Sequence, residues 1–365
     1  MTSETPKTPR ARSKLDEVLR SAAGLLALQS LPKIGPRNAL RIALFTTSFD
    51  DLPEQLATPW GQAVRKAEHD LEEWSTEGIQ ALSIFDEGYP ERLRAIHDPP
   101  PVLFLRGSLE ALRDGRVVAV IGTREPTEFG CSAAQDIVAA LASADWAIVS
   151  GLAKGIDTMA HGAALRHHTE TVAVLAGGLE RVYPAENKEL ADAIADQGGA
   201  LVSEHRVGVR PRPSNFVARN RIQSGLAAAV FVAQTGISGG TMHTVRHAAA
   251  QGRPVFAAVP HTRHPKNEGL RALLDTPARE LCNRLPAWRE AKGLCARLGD
   301  MPLAHPVAKD DIEEFLDALD LILEADPQVN PEPRWWPELD PPSRHTERDA
   351  VAEDDAQAPL FAAAD

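Results

Sequence analysis

Arginines cluster between Arg206 and Arg221 of this 365-residue chain. Five arginines fall within these sixteen residues, with no Asp or Glu between them, and Asn220 and Phe216 lie among them. A guanidinium presents a planar fork of donors that matches phosphate oxygens, and an aromatic ring can stack on a flat base. The segment therefore indicates a site for an anionic ligand with flat rings. A solvated charged loop is the alternative interpretation. The arginines are Arg206, Arg210, Arg212, Arg219 and Arg221.

The segments on either side alternate between short apolar runs and helical patterns. The apolar runs predict buried strands at 117–121, 147–149, 171–175, 200–203, 228–233 and 254–259. Strands separated by helices indicate an α/β fold with a Rossmann-like, doubly wound, mostly parallel sheet, whose ligands bind beyond the carboxyl ends of the strands. The arginine-rich segment follows one of those ends. We predict a loop from Pro211 and a helix only from Arg219 to Leu226.

Glycine-containing loops follow four of the predicted strands. Glycine lets backbone amides approach a phosphate closely, and the helix after each loop adds the partial positive charge of its first turn. The sequence therefore predicts a phosphate-binding edge. Its members in three of the loops are Gly122, Arg124, Ser150, Gly151, Lys154, Gly155, Ser238, Gly239, Gly240 and Thr241. Neither the dinucleotide-binding G-x-G-x-x-G nor the P-loop pattern is present, which argues against a dehydrogenase or a nucleoside triphosphatase.

Helical patterns dominate the first part of the chain. Apolar residues at helical spacing from Leu15 to Gln29 precede Leu31-Pro-Lys-Ile-Gly-Pro36, and a second helical run continues to Leu44. Two short helices around such a turn resemble a helix-hairpin-helix, whose turn amides hold DNA phosphates. A plain helical packing module is the other interpretation. The proline-rich residues 98–107 predict a connector into a short edge strand.

Charge is distributed unevenly along the chain. Residues 310–365 contain 17 acidic residues and three arginines, so they account for the net charge of −12, and the remainder carries +2. The negative net charge of the whole chain therefore does not exclude a nucleic-acid partner for residues 1–309. We expect a disordered N-terminus at 1–14, a helical domain (SAM-like or helix-hairpin-helix-like) at 15–85 and the Rossmann-like domain at 86–285. A helical extension at 286–325 and a poorly ordered acidic, Pro-rich tail at 326–365 complete this division.

Targeting, membrane and metal signals are weak. The first residues contain no apolar signal, no apolar run approaches the length of a membrane span, and the three cysteines show no CxxC spacing. We therefore expect a cytoplasmic protein without a membrane partner. His243 and His247 lie four residues apart on a predicted helix, but the H-E-x-x-H pattern is absent, and we expect neither a metal nor a cofactor. Asp157 and His161 share that spacing, and we expect them to support a loop by hydrogen bonds.

Taken together, the motifs resemble the DprA/Smf family, the DNA-processing proteins of bacteria, over residues 89–260. The resemblance rests on Gly122-Thr-Arg124 with Phe129-Gly130, Ser150–Asp157, Gly177-Gly-Leu-Glu180 with Tyr183-Pro184, Ser203-Glu204, Arg219-Asn-Arg-Ile222 and Ser238-Gly-Gly-Thr241. Two positions depart from the family pattern: Gln234 stands where Glu is usual, and His261 stands where Gly usually follows Pro. The winged-helix module of many members is not recognisable in this sequence.

The resemblance implies a homodimer that binds single-stranded DNA without catalysis. It further implies that the protein helps load the RecA recombinase onto that strand in DNA uptake or recombination. Arg219 and Arg221 are implied as phosphate ligands or as partners of Glu204 in the pocket wall, and Asn220 lies with them. The residues implied as DNA contacts are Arg124, Arg210, Arg212 and the stacking ring of Phe216.

A related Rossmann-like group suggests an alternative function, the binding of nucleotides or the removal of the base from nucleoside monophosphates. Its P-G-G-x-G-T-x-x-E loop corresponds to Ile237-Ser-Gly-Gly-Thr-Met-His-Thr244 here. This segment lacks the Pro and the acid of that loop. The acid is the group that would stabilise an oxocarbenium-like transition state.

A short motif near residue 360 resembles the peptide by which bacterial replication and repair proteins bind the sliding clamp. The motif is Gln357-x-x-Leu360-Phe361, within the acidic tail. An apolar pair in a disordered acidic segment suits docking into a groove. The sliding clamp is therefore a second partner suggested by the sequence.

Overall fold

The apolar runs of the sequence become the strands of a single sheet in the computed structural model, which describes residues 14–46, 54–112, 115–284, 288 and 292–325. The chain divides into two units, whose boundary in sequence lies between Glu72 and Glu73. The acidic tail, Trp335-Trp336 and the clamp-like motif at Gln357, Leu360 and Phe361 lie outside the described residues, as do residues 1–13.

The first unit is helical in its described part. Ser21 divides the predicted Leu15–Gln29 helix in two, because its side-chain oxygen accepts a hydrogen bond from the Gly24 amide (3.1 Å) and caps the second piece. The third helix begins at Pro36, where a missing amide costs nothing. The helices are α1 (Lys14–Arg20), α2 (Ala22–Ser30), α3 (Pro36–Phe45) and α4 (Glu54–Thr76), whose last four residues belong to the second unit.

The second unit contains the sheet, which has nine strands within the described residues. The strands are β1 (Gln80–Ser83), β2 (Val102–Gly107), β3 (Val117–Gly122), β4 (Ala147–Ser150), β5 (Thr171–Val174), β6 (Ala200–Ser203), β7 (Ala229–Gln234), β8 (Val255–Ala258) and β9 (His305–Val307). Their order is β1-β2-β6-β5-β4-β3-β7-β8-β9. The pairs from β6 to β9 are parallel, and β2 pairs antiparallel with β1 and with β6. The predicted doubly wound α/β sheet is confirmed.

Helices cover both faces of the sheet, so its central strands are buried along nearly their whole length. These helices are α5 (Glu91–Arg94), α6 (Glu128–Ser143), α7 (Ile156–Arg166), α8 (Lys188–Asp196), α9 (Pro213–Leu226), α10 (Thr241–Ala250), α11 (Glu268–Asp275), α12 (Ala278–Arg284), α13 (Lys292–Leu298) and α14 (Ile312–Ala325). This coverage explains why the strands appear in the sequence as continuous apolar runs.

The last described helix, α14, closes the sheet on the side of β7 and β8. Its Phe315 ring packs against the rings of Phe256 (centroids 4.9 Å apart) and Phe231 (5.9 Å), and Leu319 is fully buried one turn later. The next strand outward, β9, lies within the segment predicted as a helical extension. Residues 305–325 therefore contribute to the core of the α/β unit.

The predicted edge strand at 98–107 is wrong in its position. β2 lies between β1 and β6 and is therefore an internal strand. Its prolines, Pro99 to Pro101, precede the strand and leave its ladder amides intact. The edge strand beside β2 is β1, which is short and only partly buried, and its sequence Gln80-Ala-Leu-Ser83 carries no clear alternation.

A disulfide joins α12 to α13. It links Cys282 and Cys295, whose Cα atoms lie 6.5 Å apart, and both residues are buried. The cysteine spacing did not predict this pair. Cys131 is a free thiol on α6.

Two leucines on α14 test the role of this helix. We expect Leu319→Ala to lower the free energy of unfolding by about 2–5 kcal/mol, because a fully buried side chain leaves a cavity. Leu321→Ala is the matched control on the same helix. Its side chain is 63% exposed, so the change should stay within about 0.5 kcal/mol. Denaturant titration measures both values. Equal effects would contradict the packing of α14 against the sheet.

Candidate nucleic-acid interface

The strand order changes direction at β3. The chain moves from β3 to β4, β5 and β6 on one side and then returns to β7 on the other side. The loops after β3 and β7 therefore separate at the carboxyl ends of two adjacent strands, which is where doubly wound sheets bind ligands. The first loop contains Gly122-Thr-Arg124 and the second contains Ser238-Gly-Gly-Thr241.

The side chain of Gln234 joins these two loops at their base. Its Oε1 accepts a hydrogen bond from the Thr127 amide (2.8 Å), and its Nε2 donates to Thr127 Oγ1 (2.8 Å) and to Asn267 Oδ1 (2.6 Å). An ionised carboxylate could accept the bond from the Thr127 amide, but it has no hydrogen to donate to Asn267 Oδ1. Gln234 therefore makes a set of contacts that glutamate, usual at this position in the DprA/Smf pattern, could not make in its ionised form.

An exposed cluster of one arginine and two aromatic rings lies beside these loops. The Arg124 guanidinium lies over the Phe216 ring, 5.5 Å from its centroid. The Tyr183 ring packs against the Phe216 ring in a T-shaped pair with centroids 5.4 Å apart. Tyr183 is 55% exposed and Phe216 is half-buried. We call these three residues the arginine–aromatic cluster.

Two further arginines are exposed next to this cluster in sequence. Arg210 and Arg212 precede α9, which begins at Pro213 rather than at the predicted Arg219. Proline suits the first helical position, because its fixed backbone angle is helical and its missing amide has no partner there. The first turn of α9 contains no acidic residue. Arg212 therefore lies at the positive end of the helix with its charge uncompensated there.

Arg219, by contrast, is buried at 4% exposure. Its Nη1 donates to the carbonyl oxygen of Val174 at the end of β5 (2.7 Å). With its amide oriented to satisfy its neighbours, Gln223 accepts from Arg219 Nη1 (2.9 Å) and from the Gly151 amide (2.7 Å). Burial lowers the pKa of Arg219 to about 10, and the Asp157 carboxylate opposes that shift. Arg219 therefore links α9 to the end of β5 and, with Gln223, to the loop after β4.

Asp157 supports the same loop, whereas His161 contacts the first residue of β5. Asp157 Oδ2 accepts hydrogen bonds from the amides of Gly151 (3.2 Å) and Ala153 (3.3 Å), and burial raises the pKa of this carboxyl. His161 Nδ1 lies 2.7 Å from Thr171 Oγ1. Burial, with the charge of Arg219, lowers the pKa of His161 to about 3, so its ring is neutral. The contacts of Asp157 match the predicted loop support, whereas His161 bonds to strand β5 and not to the loop.

Arg221 is paired rather than available for a ligand. Its two terminal nitrogens donate to the two oxygens of Glu204 (2.9 and 2.7 Å), and Nε lies 2.9 Å from a carboxylate oxygen of Asp98. Burial alone would raise the pKa of Glu204, but Arg221 outweighs it and holds that pKa below its usual value. Of the two implied roles, the geometry favours the partner of Glu204.

The predicted glycine loops differ in what surrounds them. A Cβ atom at Gly122 would overlap Ile156, one at Gly151 would overlap the Arg219 side chain, and one at Gly155 would overlap the backbone of the β3 loop. These glycines let neighbouring elements touch. Gly240 has nothing within 4 Å of such an atom, so it borders open space at the start of α10.

Other predicted positions lie around this edge in different roles. Ser150 is buried and donates to the Val120 carbonyl oxygen (2.7 Å). Lys154 is exposed and forms an ion pair with Glu186 (2.7 Å). Asn220 donates to the Gly240 carbonyl oxygen (3.4 Å), which links α9 to the loop after β7. In that loop Ser238 is exposed, Gly239 is half-buried and Thr241 is buried.

Tyr183 was absent from the predicted contacts. The sequence signal was its place beside Pro184 in one of the family-like motifs, directly after the loop that follows β5. Its exposure and its contact with Phe216 depend on the folding of the 176–184 segment, which no local pattern reveals.

The described residues contain neither a metal-binding cluster nor a membrane-spanning helix. No group of three or more His, Cys, Asp or Glu side chains in them could hold a metal ion. None of their helices combines the length and apolar character needed to cross a bilayer. A separate cavity of about 330 Å³ lies between α6 and the start of α14, and it contains none of the predicted site residues.

Comparison with protein families places residues 80–290 in a family described as DNA recombination-mediator protein A. The chain is 40% identical over 187 residues to DNA processing protein DprA of Bacillus subtilis, which covers 51% of this chain and 63% of that protein. It is 41% identical over 183 residues to protein Smf of Escherichia coli, which covers 50% of this chain and 49% of that protein. The chain thus spans less than two thirds of these relatives.

Two solved structures resemble the fold. DNA processing protein A of Helicobacter pylori, described for its single-stranded DNA binding mode, has a TM-score of 0.53 at 27% identity and covers 67% of this chain and 96% of that one. DprA of Streptococcus pneumoniae has a TM-score of 0.56 at 26% identity and covers 83% of this chain and 98% of that one.

The Glu204–Arg221 pair yields a stability prediction. We expect Glu204→Gln to lower the free energy of unfolding by about 1–3 kcal/mol at pH 7, because it removes the less exposed of the two carboxylates that pair with the Arg221 guanidinium. The folded pKa of Glu204 is depressed, so its stabilisation is present above the unfolded pKa of about 4.3 and is lost as the pH falls through the folded value. Denaturant titration from pH 3 to 7 measures the difference.

Glu186→Gln is the control for that measurement. It removes the partner of Lys154 in an exposed pair, where the expected change is within about 0.5 kcal/mol at any pH. A Glu204 variant as stable as this control at pH 7 would contradict the structural role of the buried pair.

Proposed function

Because this chain belongs to the DNA recombination-mediator protein A family, whose model matches residues 80–290, we propose that it binds single-stranded DNA at the carboxyl edge of its sheet. The observation that carries the proposal is the exposed arginine–aromatic cluster of Arg124, Phe216 and Tyr183. Arg210 and Arg212 extend it with two exposed guanidiniums. Within the described part of the chain, none of these three arginines forms an ion pair with a carboxylate.

The combination of charge and rings favours a single strand over a duplex. Guanidiniums bind backbone phosphates of either form, but aromatic side chains reach the flat faces of bases only where those bases are unpaired. Stacking does not depend on which base is present, so binding should show little sequence preference. Although the whole chain is acidic, the residues before 310 carry a net charge of +2, so they can bind a polyanion such as DNA.

The proposed role is binding rather than catalysis. The alternative glycosidase function needs an acid near the loop after β7. The segment 237–244 contains no acidic residue, and the first turn of α10 has none. Asp157 and His161, the nearby acid–base pair, are buried in hydrogen bonds to the protein. We therefore expect no base to be released from AMP, which chromatography of an incubated sample would measure.

We propose further that the bound strand is passed to the RecA recombinase. The description of the family as a recombination mediator supports this step. The rate at which RecA assembles on a protein-coated single strand, with and without this chain, would test it. No acceleration would contradict the transfer.

The remaining proposed partners are a second copy of the chain and the sliding clamp. The homodimer follows from the DprA/Smf resemblance, and sedimentation over a range of concentrations would test it. Clamp binding rests on Gln357, Leu360 and Phe361, which lie outside the described residues. A Leu360→Ala/Phe361→Ala chain that still bound the clamp as the wild type does would exclude this motif.

The exposed arginines before α9 provide the test of the proposed function. We expect Arg210→Ala and Arg212→Ala each to weaken single-strand binding by about tenfold at low salt, because each removes a charge-assisted phosphate contact. Each should reduce the slope of log affinity against log salt by about 0.7. Fluorescence anisotropy with a labelled oligonucleotide across a salt series measures both quantities.

Arg166→Ala is the matched control for these variants. Arg166 is also exposed, but it lies at the far end of α7, away from the carboxyl edge of the strands. Its loss should leave the affinity and the salt slope unchanged. The proposed function would be overturned if the wild-type chain did not bind single strands. It would also be overturned if Arg210→Ala and Arg212→Ala bound single strands as tightly as the control Arg166→Ala.

A further inference from the structure

Tyr183 is an exposed ring on a firmly held backbone. The amide of Gly178 donates to the Val209 carbonyl oxygen (2.9 Å), and the amide of Gly208 donates to Glu180 Oε1 (3.1 Å), so the segments on either side of β6 hold each other. The next residue, Pro184, is buried. A large aromatic side chain that stays 55% exposed in such a setting is available for a ligand.

The turn after Tyr183 is anchored as well. Asn187 is buried, and its Nδ2 donates to the Leu152 carbonyl oxygen (2.8 Å) and to Thr158 Oγ1 (2.9 Å). These bonds tie the turn to the loop after β4 and to α7. The backbone that carries the Tyr183 ring is therefore fixed before any ligand arrives, which lowers the entropy cost of binding to the ring.

The Phe216 ring is already occupied. The guanidinium of Arg124 lies over it, and Tyr183 packs against it. The same guanidinium is the one expected to hold a phosphate. Arg124 cannot cover the ring and leave that face open to a base at the same time, so in the present arrangement only Tyr183 offers a ring that is more than half exposed.

We propose that Tyr183 is the first stacking surface for a base, and that the arriving strand draws the Arg124 guanidinium from the Phe216 ring to a phosphate. A second base then stacks on Phe216 in the place that Arg124 has left. This inference rests on the proposed function, because it assigns the order of contacts within the same site. Tyr183 thereby becomes a direct contact of the strand.

Magnitudes favour this exchange. An exposed contact between a cation and a ring contributes about two- to fivefold to an equilibrium, whereas a stacked base contributes about five- to 150-fold. The displaced guanidinium also gains a charge-assisted bond to a phosphate. The exchange therefore replaces one weak contact by two stronger ones.

The spacing of the rings predicts the shape of the bound strand. Their centroids are 5.4 Å apart, and the pair is T-shaped with an interplanar angle of 61°. Neighbouring bases in a stacked strand lie about 3.4 Å apart along the axis. Two adjacent bases that stack on these rings would therefore lie farther apart than in a stacked strand. They would also be tilted relative to one another, so that they no longer stack on each other.

The test compares a thymidine oligonucleotide with an abasic strand of the same length. The wild type should bind the strand with bases about tenfold or more tightly. Tyr183→Leu keeps an apolar side chain beside Phe216 but removes the aromatic face. It should lose about five- to tenfold of that preference while binding the abasic strand like the wild type. Tyr183→Phe should retain the preference.

Arg124 tests the exchange step. We expect Arg124→Ala to lower the affinity for both strands and to reduce the salt slope by about 0.7, because Arg124 holds a phosphate in the complex. An unchanged slope would mean that Arg124 stays on the ring, and it would overturn the exchange.

The outcomes separate this inference from the proposed function. If the wild type binds neither strand, the proposed function fails. If the wild type binds and Tyr183→Leu shows the same base preference, only the role of Tyr183 fails. If Tyr183→Leu weakens both strands equally, Tyr183 merely supports the fold of the site, and the inference is overturned in the same way.

Discussion

A buried guanidinium holds the carboxyl edge of the sheet together. Arg219 bonds to the end of β5 through Val174 and to the loop after β4 through Gln223, with Asp157 as its nearby counter-charge. A charge removed from water is stable only when hydrogen bonds and an opposite charge compensate it. These bonds therefore fix α9 against the sheet. Phe216 lies three residues earlier, on the same side of the helix, so its ring is directed toward the loops.

The arginines of one sequence segment divide into two physical classes. Arg219 is buried and Arg221 is mostly covered, both are bound to protein groups, and they give α9 its position. Arg206, Arg210 and Arg212 are exposed ahead of the helix, where a phosphate can reach them. Arg219 and Arg221 thus position α9, whereas the exposed arginines give the adjacent surface its positive charge. Arg124 joins the second class from the loop after β3, and the bridging amide of Gln234 fixes that loop.

Much of the fold could be predicted, because a parallel sheet covered on both faces leaves continuous apolar runs in the sequence. The internal position of β2 could not, since a short, half-exposed β1 carries no pattern. Nor could the two classes of arginine be separated from spacing alone, because burial depends on which element packs over a residue. The start of α9 could not be predicted either, because a proline is as common in a loop as in the first turn of a helix, and Pro213 begins the helix here. The exposure of Tyr183 could not be predicted either, because it too depends on which elements pack around the residue.

Photo-crosslinking tests the central claim most directly, because it locates the strand on the protein without a substitution in the chain. A single-stranded oligonucleotide with 5-iododeoxyuridine at successive positions would be irradiated with the wild-type chain, and the linked peptides identified by mass spectrometry. We expect links at Tyr183 and Phe216, the two rings beside Arg124. Links confined to the helical unit, at 14–46 and 54–72, with none in 176–184 or 206–226, would contradict the placement of single-stranded DNA at the carboxyl edge of the sheet.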